Sequence, residues 1–311
     1  MKTPFRRSAV LATVLLVAAC AGGEAPAPEE DGSAAPAAGG EPVPGPAERV
    51  AVVEGMQGPE SVRYDPDQDV WFVGNFNGPG GERDANGFVA RVDAETGAVE
   101  AREFAVGTEA HPLHAARGMY LTGDTLWVAD ADGVHAFHRR TGEQLAFVDL
   151  TPFDPGFPND IAQGRDGALY VTDTGRSAVY RLDGGTPTEV LADPELGGPN
   201  GITRDDATGE LVLVPWRPDH RVHRWTPGGE PEAIGPTRTP GRLDGVEVVG
   251  GRILVASQSD STLHRVEEAA LVPVIRVDGA PADIGIDTRR GRVAVPYVAL
   301  DRVDVWVLPE G

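Results

Sequence analysis

The chain has 311 residues and a formal charge of −21, with acidic residues spread along its length. A polyanion repels phosphate backbones, which argues against nucleic acid as a partner. Glycine (40) and proline (27) are abundant, pointing to many short elements joined by turns. No apolar run of about twenty residues follows the leader, which argues against a spanning helix.

Lys2, Arg6 and Arg7 precede an apolar run from Ala9 to Ala19, the order of charge and hydrophobe in a signal peptide. The run ends Val17-Ala18-Ala19-Cys20, which resembles the bacterial lipobox. Residues 1–19 are then a lipoprotein signal peptide, and the Cys20 thiol carries the diacylglycerol. The alternative is an ordinary signal peptide with a chance cysteine, and Arg6-Arg7 leaves twin-arginine export open. Cys20 is the only cysteine, so no internal disulfide can form. Residues 20–48 are almost all Ala, Gly, Pro, Glu and Ser. They cannot bury enough apolar surface to offset ordering entropy, and read as a disordered tether whose ends lie on the order of 30 Å apart. The expectation is an exported monomer, anchored by lipid in the bacterial cell envelope, with the membrane leaflet left open.

From Arg49 to Gly311 one short phrase recurs: a polar residue, a small or acidic one, then an aliphatic that opens a strand. It reads Glu60-Ser61-Val62, Arg117-Gly118-Met119, Asn159-Asp160-Ile161, Asn200-Gly201-Ile202, Asp244-Gly245-Val246 and Ala282-Asp283-Ile284. The aliphatic positions are separated by 57, 42, 41, 44 and 38 residues. Six units of about 44 residues match blades of four strands. Each phrase is followed by a turn and a second strand rich in Val, Leu, Ile, Trp and Tyr: Val70–Gly74, Thr125–Ala129, Ala168–Thr172, Leu211–Pro215, Arg252–Ala256 and Arg292–Pro296. The fold class is therefore all-β, a six-bladed β-propeller over residues 49–311. The sixth unit has only three strands, ending at Val303–Leu308, and Val50–Glu54 supplies the missing outer one.

Strand alternation sorts the loops by face. First-to-second and third-to-fourth turns share one face and are short. The other face receives the links between blades and the second-to-third loops, including 75–87, 111–114 and 216–220, which carry the unusual residues. The first residue of each phrase enters the innermost strand from that face, beside the axis. Glu60, Asn159, Asn200 and Asp244 would then converge as an oxygen-rich site for a hard cation, Ca²⁺ fitting best, with Mg²⁺, Mn²⁺ or Zn²⁺ as alternatives. Asp160 and Asp283, one residue on, could orient ligands or hold a water. His111 and His114 lie in a link on the functional face, and either could act as a base. His135/His138 and His220/His223 are each three apart, on opposite faces of a strand, and read as solvent-exposed or loop histidines.

The phrases Gly58-Pro59-Glu60-Ser61-Val62, Pro158-Asn159-Asp160-Ile161, Pro199-Asn200-Gly201-Ile202 and Leu243-Asp244-Gly245-Val246 resemble the senescence marker protein/gluconolactonase/luciferin-regenerating enzyme family. Asn159-Asp160-Ile161 is also similar to the paraoxonase motif. The resemblance covers residues 55–311. It implies a six-bladed propeller with a divalent cation in its channel and hydrolysis of lactones or related esters. Glu60, Asn200 and Asp244 would be metal ligands, and Asn159 would contact metal or substrate. Two departures stand out. Phe157 replaces an arginine of gluconolactonases, and Arg117 and the region of Asp130 lack the paraoxonase histidines.

Two functions follow. The first is a metal-dependent hydrolase of a lactone or ester, in which Asp244, or Asp160 through a water, activates the attacking water and Arg117 holds an anionic part of the substrate. The second is a non-catalytic propeller that presents its mouth to a ligand or protein, its channel ion structural or absent.

Overall fold

The structure is a computed structural model and describes residues 47–309. The signal peptide, Cys20 and the tether up to residue 46 lie outside the described residues. Within them the chain forms six four-stranded antiparallel sheets. Five sheets follow chain order, from Pro59–Asp65, Val70–Asn75, Phe88–Asp93 and Val99–Ala105 in the first blade to Leu243–Val249, Arg252–Ser257, Thr262–Val266 and Leu271–Arg276 in the fifth. The sixth blade runs Gly285–Asp287, Arg292–Tyr297 and Arg302–Val307, and its outer strand is Arg49–Val53. Arg49 pairs with Trp306 and Val53 with Val303, so the expected closure by the N-terminal strand is present. Among the described residues, helix is confined to three 3₁₀ turns of three residues each. Among the described residues, no helix is long and apolar enough to cross a membrane.

Alternation along each strand explains how the blades stack. In Val70–Asn75, Trp71 and Val73 face the sixth blade while Val70 and Phe72 face the second. Side chains of successive residues point to opposite faces, so a strand buried on both sides must be apolar at every position, as this one nearly is. Six apolar clusters result, one at each junction between blades. The core is thus a ring, and the axis is left to polar groups.

Candidate functional site

Four innermost strands open with a break in register against their neighbours, between Pro59 and Ser61, Pro158 and Ile161, Pro199 and Ile202, and Leu243 and Val246. Such a bulge leaves residues out of the ladder and re-aims side chains. Glu60, Asn159, Asn200 and Asp244 occupy these breaks. The middle residue of each phrase faces the next blade at close quarters. A methyl group built on Gly201 would lie 2.4 Å from the carbonyl oxygen of Asp244, and one on Gly245 2.5 Å from the backbone nitrogen of Ile284. The phrase therefore has three physical duties: polar group to the mouth, minimal bulk at the junction, aliphatic into the core.

The four breaks surround a cavity of about 500 Å³ whose floor includes Glu60, Asn159, Asn200 and Asp244. All four are buried, at 1–4% exposure. Each has one buried oxygen without a hydrogen-bond partner: Glu60 Oε2, Asn159 Oδ1, Asn200 Oδ1 and Asp244 Oδ1. The remaining polar atoms of two of them are held from outside. Asn159 Nδ2 donates to Thr174 Oγ1 at 3.2 Å, and Gln258 Nε2 donates to Asp244 Oδ2 at 2.7 Å. Buried polar atoms are rarely left unpaired. Four unpaired oxygens on one floor, two of them carboxylate, fit a hard divalent cation, and the absence of His or Cys from the lining favours Ca²⁺ or Mg²⁺ over Zn²⁺.

Electrostatics points the same way. Four buried carboxyl groups, Glu60, Asp160, Asp244 and Asp283, lie near one another; Arg117 acts on Glu60 and the part-buried Arg63 on Asp160 and Asp283, while no arginine acts on Asp244. Arg63 is committed to Glu247 at 2.7 Å. Burial, then Asp160, pushes Asp244 up to about 8. Burial, then Asp244 and Asp160, holds Glu60 well above the usual carboxylate range. Negative charge is crowded here without a matching cation from the chain.

Two expectations are corrected. Arg117, at 1% exposure, does not line the cavity. It donates to the carbonyls of Pro158 and Gly80, and its guanidinium carbon lies 3.6 Å from the centroid of the Phe157 ring. No ion pair joins it to Glu60 among the described residues, and a buried cation already bound to two carbonyls is not presented to a substrate anion. Asp160 also lies outside the lining. Its carboxylate accepts from the backbone N–H of Ile161 at 2.7 Å and of Ile202 at 2.8 Å, tying the third blade to the fourth.

The histidines are corrected as well. His135 and His223 are buried rather than solvent-exposed. His111 is exposed and stacks on Phe147, and His114 accepts the Ala85 N–H at Nδ1, so neither lines the cavity. His114, Asp130 and Asp132 bring three ligand atoms within 4.8 Å of one another. Asp130, however, already accepts from the N–H groups of His114, Ala115 and Ala131 and faces His135 Nε2 at 3.1 Å. The same device recurs at the end of other second strands. Asp173 accepts from the N–H groups of Gly156 and Phe157, and Asn75 from that of Gln57. These residues clamp the incoming link of the first three blades, a role not assigned from sequence although Asp130 and Asp173 stand at matching places in their units.

Every residue lining the cavity comes from a blade link, an innermost strand end or a second-to-third loop, as expected for the functional face. Phe76, Trp216 and Arg217 lie in the loops assigned to the functional face from sequence, and Phe157 is the departure noted there, whereas Thr174, Gln258 and Val298 carried no signal in the sequence.

No family model and no curated protein matches the chain. Solved structures do. A gluconolactonase from Xanthomonas campestris matches at 16% identity with a TM-score of 0.64, covering 85% of this chain and 95% of that one. A calcium-binding protein, regucalcin, from Agrobacterium tumefaciens matches at 18% identity with a TM-score of 0.63, covering 84% and 94%. Virginiamycin B lyase from Staphylococcus aureus matches at 15% identity with a TM-score of 0.60, covering 85% and 99%. These likenesses show the propeller fold, and the first two come from the group that the sequence phrases resemble.

Proposed function

We propose that this chain is a divalent-cation-dependent hydrolase of a lactone or ester, displayed on the cell envelope through lipid on Cys20. The observation that carries the reading is the set of four unpartnered oxygens, from Glu60, Asn159, Asn200 and Asp244, on the floor of a cavity open to a small molecule. Those four residues would hold the ion. A bound Ca²⁺ supplies Lewis acidity to a carbonyl oxygen and charge stabilisation to the oxyanion that forms there. The chain's own part is positioning and proton transfer. Gln258 holds Asp244 by one oxygen, and the other has no hydrogen-bond partner. Asp244 Oδ1 takes the proton of a water as that water adds to the carbonyl, and returns it to the departing alkoxide, so a lactone opens to its hydroxy acid. The neighbours named gluconolactonase and regucalcin support the same reading. So do the recessed ring and the space above it, since a mouth plugged by residues 75–87 would have favoured a binder.

The test is turnover of a lactone and ester panel by the purified chain with Ca²⁺ and with chelator, alongside Asp244→Asn. Calcium-dependent hydrolysis lost in the variant is the expected result. Calcium binding with no turnover of any ester would replace the hydrolase with a ligand-binding propeller.

A further inference from the structure

Above its oxygen floor the cavity changes character. Phe76 from the first blade, Phe157 from the link into the third, Trp216 from the fourth and Val298 from the sixth form its walls. Ala282 stands at the sixth blade's ring position, where no polar side chain reaches in. The polar wall residues are largely spoken for. Thr174 Oγ1 donates to the Pro199 carbonyl and receives Asn159 Nδ2, while Gln258 donates to Asp244. Arg217 is exposed and donates to Gly175 O at 3.2 Å. A polyhydroxylated ring placed here would find few partners beyond Arg217 and the Gln258 side-chain oxygen, and each hydroxyl left unpaired costs binding free energy. An alkyl or aryl group would meet carbon on several sides.

The aromatic wall is also built rather than incidental. The Arg117 guanidinium lies against Phe157 and donates to the Gly80 carbonyl. Gly80 in turn presses on Phe76, since a methyl group added to it would lie 2.6 Å from the ring. One buried cation thus props two of the aromatic walls from behind.

Resting on the hydrolase reading, we infer that the ester or lactone carries a flat or aliphatic apolar substituent, held among Phe76, Phe157 and Trp216 while its carbonyl meets the oxygen floor. Arg117 is a positioning residue for that wall.

The experiment pairs hydrolysis with binding on the calcium-loaded full chain. The substrates are δ-dodecalactone and glucono-δ-lactone, which share a ring and differ in substituents. The binding probes, followed by calorimetry, are 2-heptylcyclohexanone and scyllo-inosose, which have no ester to cleave. Each methylene moved from water into the wall contributes about fourfold, so a few of them favour the alkyl lactone on the order of a hundredfold in kcat/KM. Trp216→Ser should raise KM for the alkyl lactone about tenfold with kcat within about twofold, and shift KM for glucono-δ-lactone by much less. Arg117→Lys should shift KM in the same sense, a split that mere loss of folded protein would not produce. Preference for glucono-δ-lactone, or failure of the alkyl ketone to bind, overturns the inference while leaving the hydrolase reading intact if either lactone is turned over. Binding of the alkyl ketone with no cleavage of either lactone supports the apolar wall and removes the hydrolase.

Discussion

Replacing Asp244 by Asn isolates the charge of the ring from its shape. Asn keeps an oxygen toward Gln258 and another polar atom toward the cavity, but removes one of the two carboxylates on the floor. In the wild type a cation that binds only the folded state at a hundredfold excess over its Kd adds about 2.7 kcal/mol. For the 263 residues from Arg49 onward, the usual unfolding entropy per residue converts this into about 5 °C of Tm. A carboxylate oxygen about 2.4 Å from a doubly charged ion contributes about 3 kcal/mol even at the dielectric of water. Losing it weakens binding at least a hundredfold, so the same calcium concentration leaves about 0.4 kcal/mol, or less than one degree. The cation-free variant should melt no lower than the cation-free wild type at neutral pH, because Asp244 is a principal neighbour opposing ionisation of Glu60. The assay is calorimetric melting of both proteins in calcium and in EDTA. If EDTA leaves the wild-type Tm where calcium put it, the ring binds no such ion and the reasoning fails.

The pH dependence has a definite sign. Asp160 and Asp244, pushed up to about 7 and about 8, keep protons in the fold that the unfolded chain releases near its ordinary carboxylate pKa of about 3.9. The cation-free protein should therefore lose stability as pH rises from about 4 to about 8, and calcium should flatten that fall; a flat melting profile in EDTA would contradict it. Carboxylates held low, such as Asp69 at about 2 beside Arg290, act in the opposite sense only below about pH 4. Deleting residues 49–54 should cost several kcal/mol, because it removes buried Val53 and the Arg49–Asp304 pair and exposes the edge at Arg302–Val307. Removing residues 21–46 should cost nearly nothing, and equal melting temperatures for the two truncations would refute this. Cys20→Ser should abolish incorporation of labelled palmitate, and a labelled variant would show that lipid is attached elsewhere.

The fold and the ring were legible in the sequence because one triplet recurs in every blade with an aliphatic in third place, and in four of them puts a polar residue at the cavity. Glu60, Asn159, Asn200 and Asp244 could be picked out as first members of that triplet, and they do share one floor. Arg117 holds the same place in its unit and was misread for that reason. Its long side chain turns toward the Pro158 and Gly80 carbonyls instead of the cavity, and only packing against Phe157 reveals it. Asp160 was misread because a carboxylate beside a metal ligand suggests chemistry, whereas this one answers the N–H groups of Ile161 and Ile202. The walls were legible only as loops: residues 75–87 and 216–220 were assigned to the functional face, but no individual wall side chain was selected from them. Phe76, Phe157, Trp216 and Val298 come from loops of different length, where no periodicity relates one blade to the next. His135 was expected to be solvent-exposed or in a loop, whereas it is buried, with Nε2 facing Asp130, five residues earlier.

The pairing of Arg49–Val53 with Arg302–Val307 also sets the order in which the molecule can be assembled. Among the described strands, the first to be synthesised, Arg49–Val53, waits for the last, Arg302–Val307, which is its partner. Five blades can form from hairpins between neighbouring segments, which are local and fast. The sixth must close a loop of roughly 250 residues, an entropic cost of about 5 kcal/mol for a flexible chain and less once the blades between are folded. Refolding is then paced by this seam rather than by any blade, and a nascent chain stays an open arc, two unpaired edges facing solvent, until its last strand is free to join.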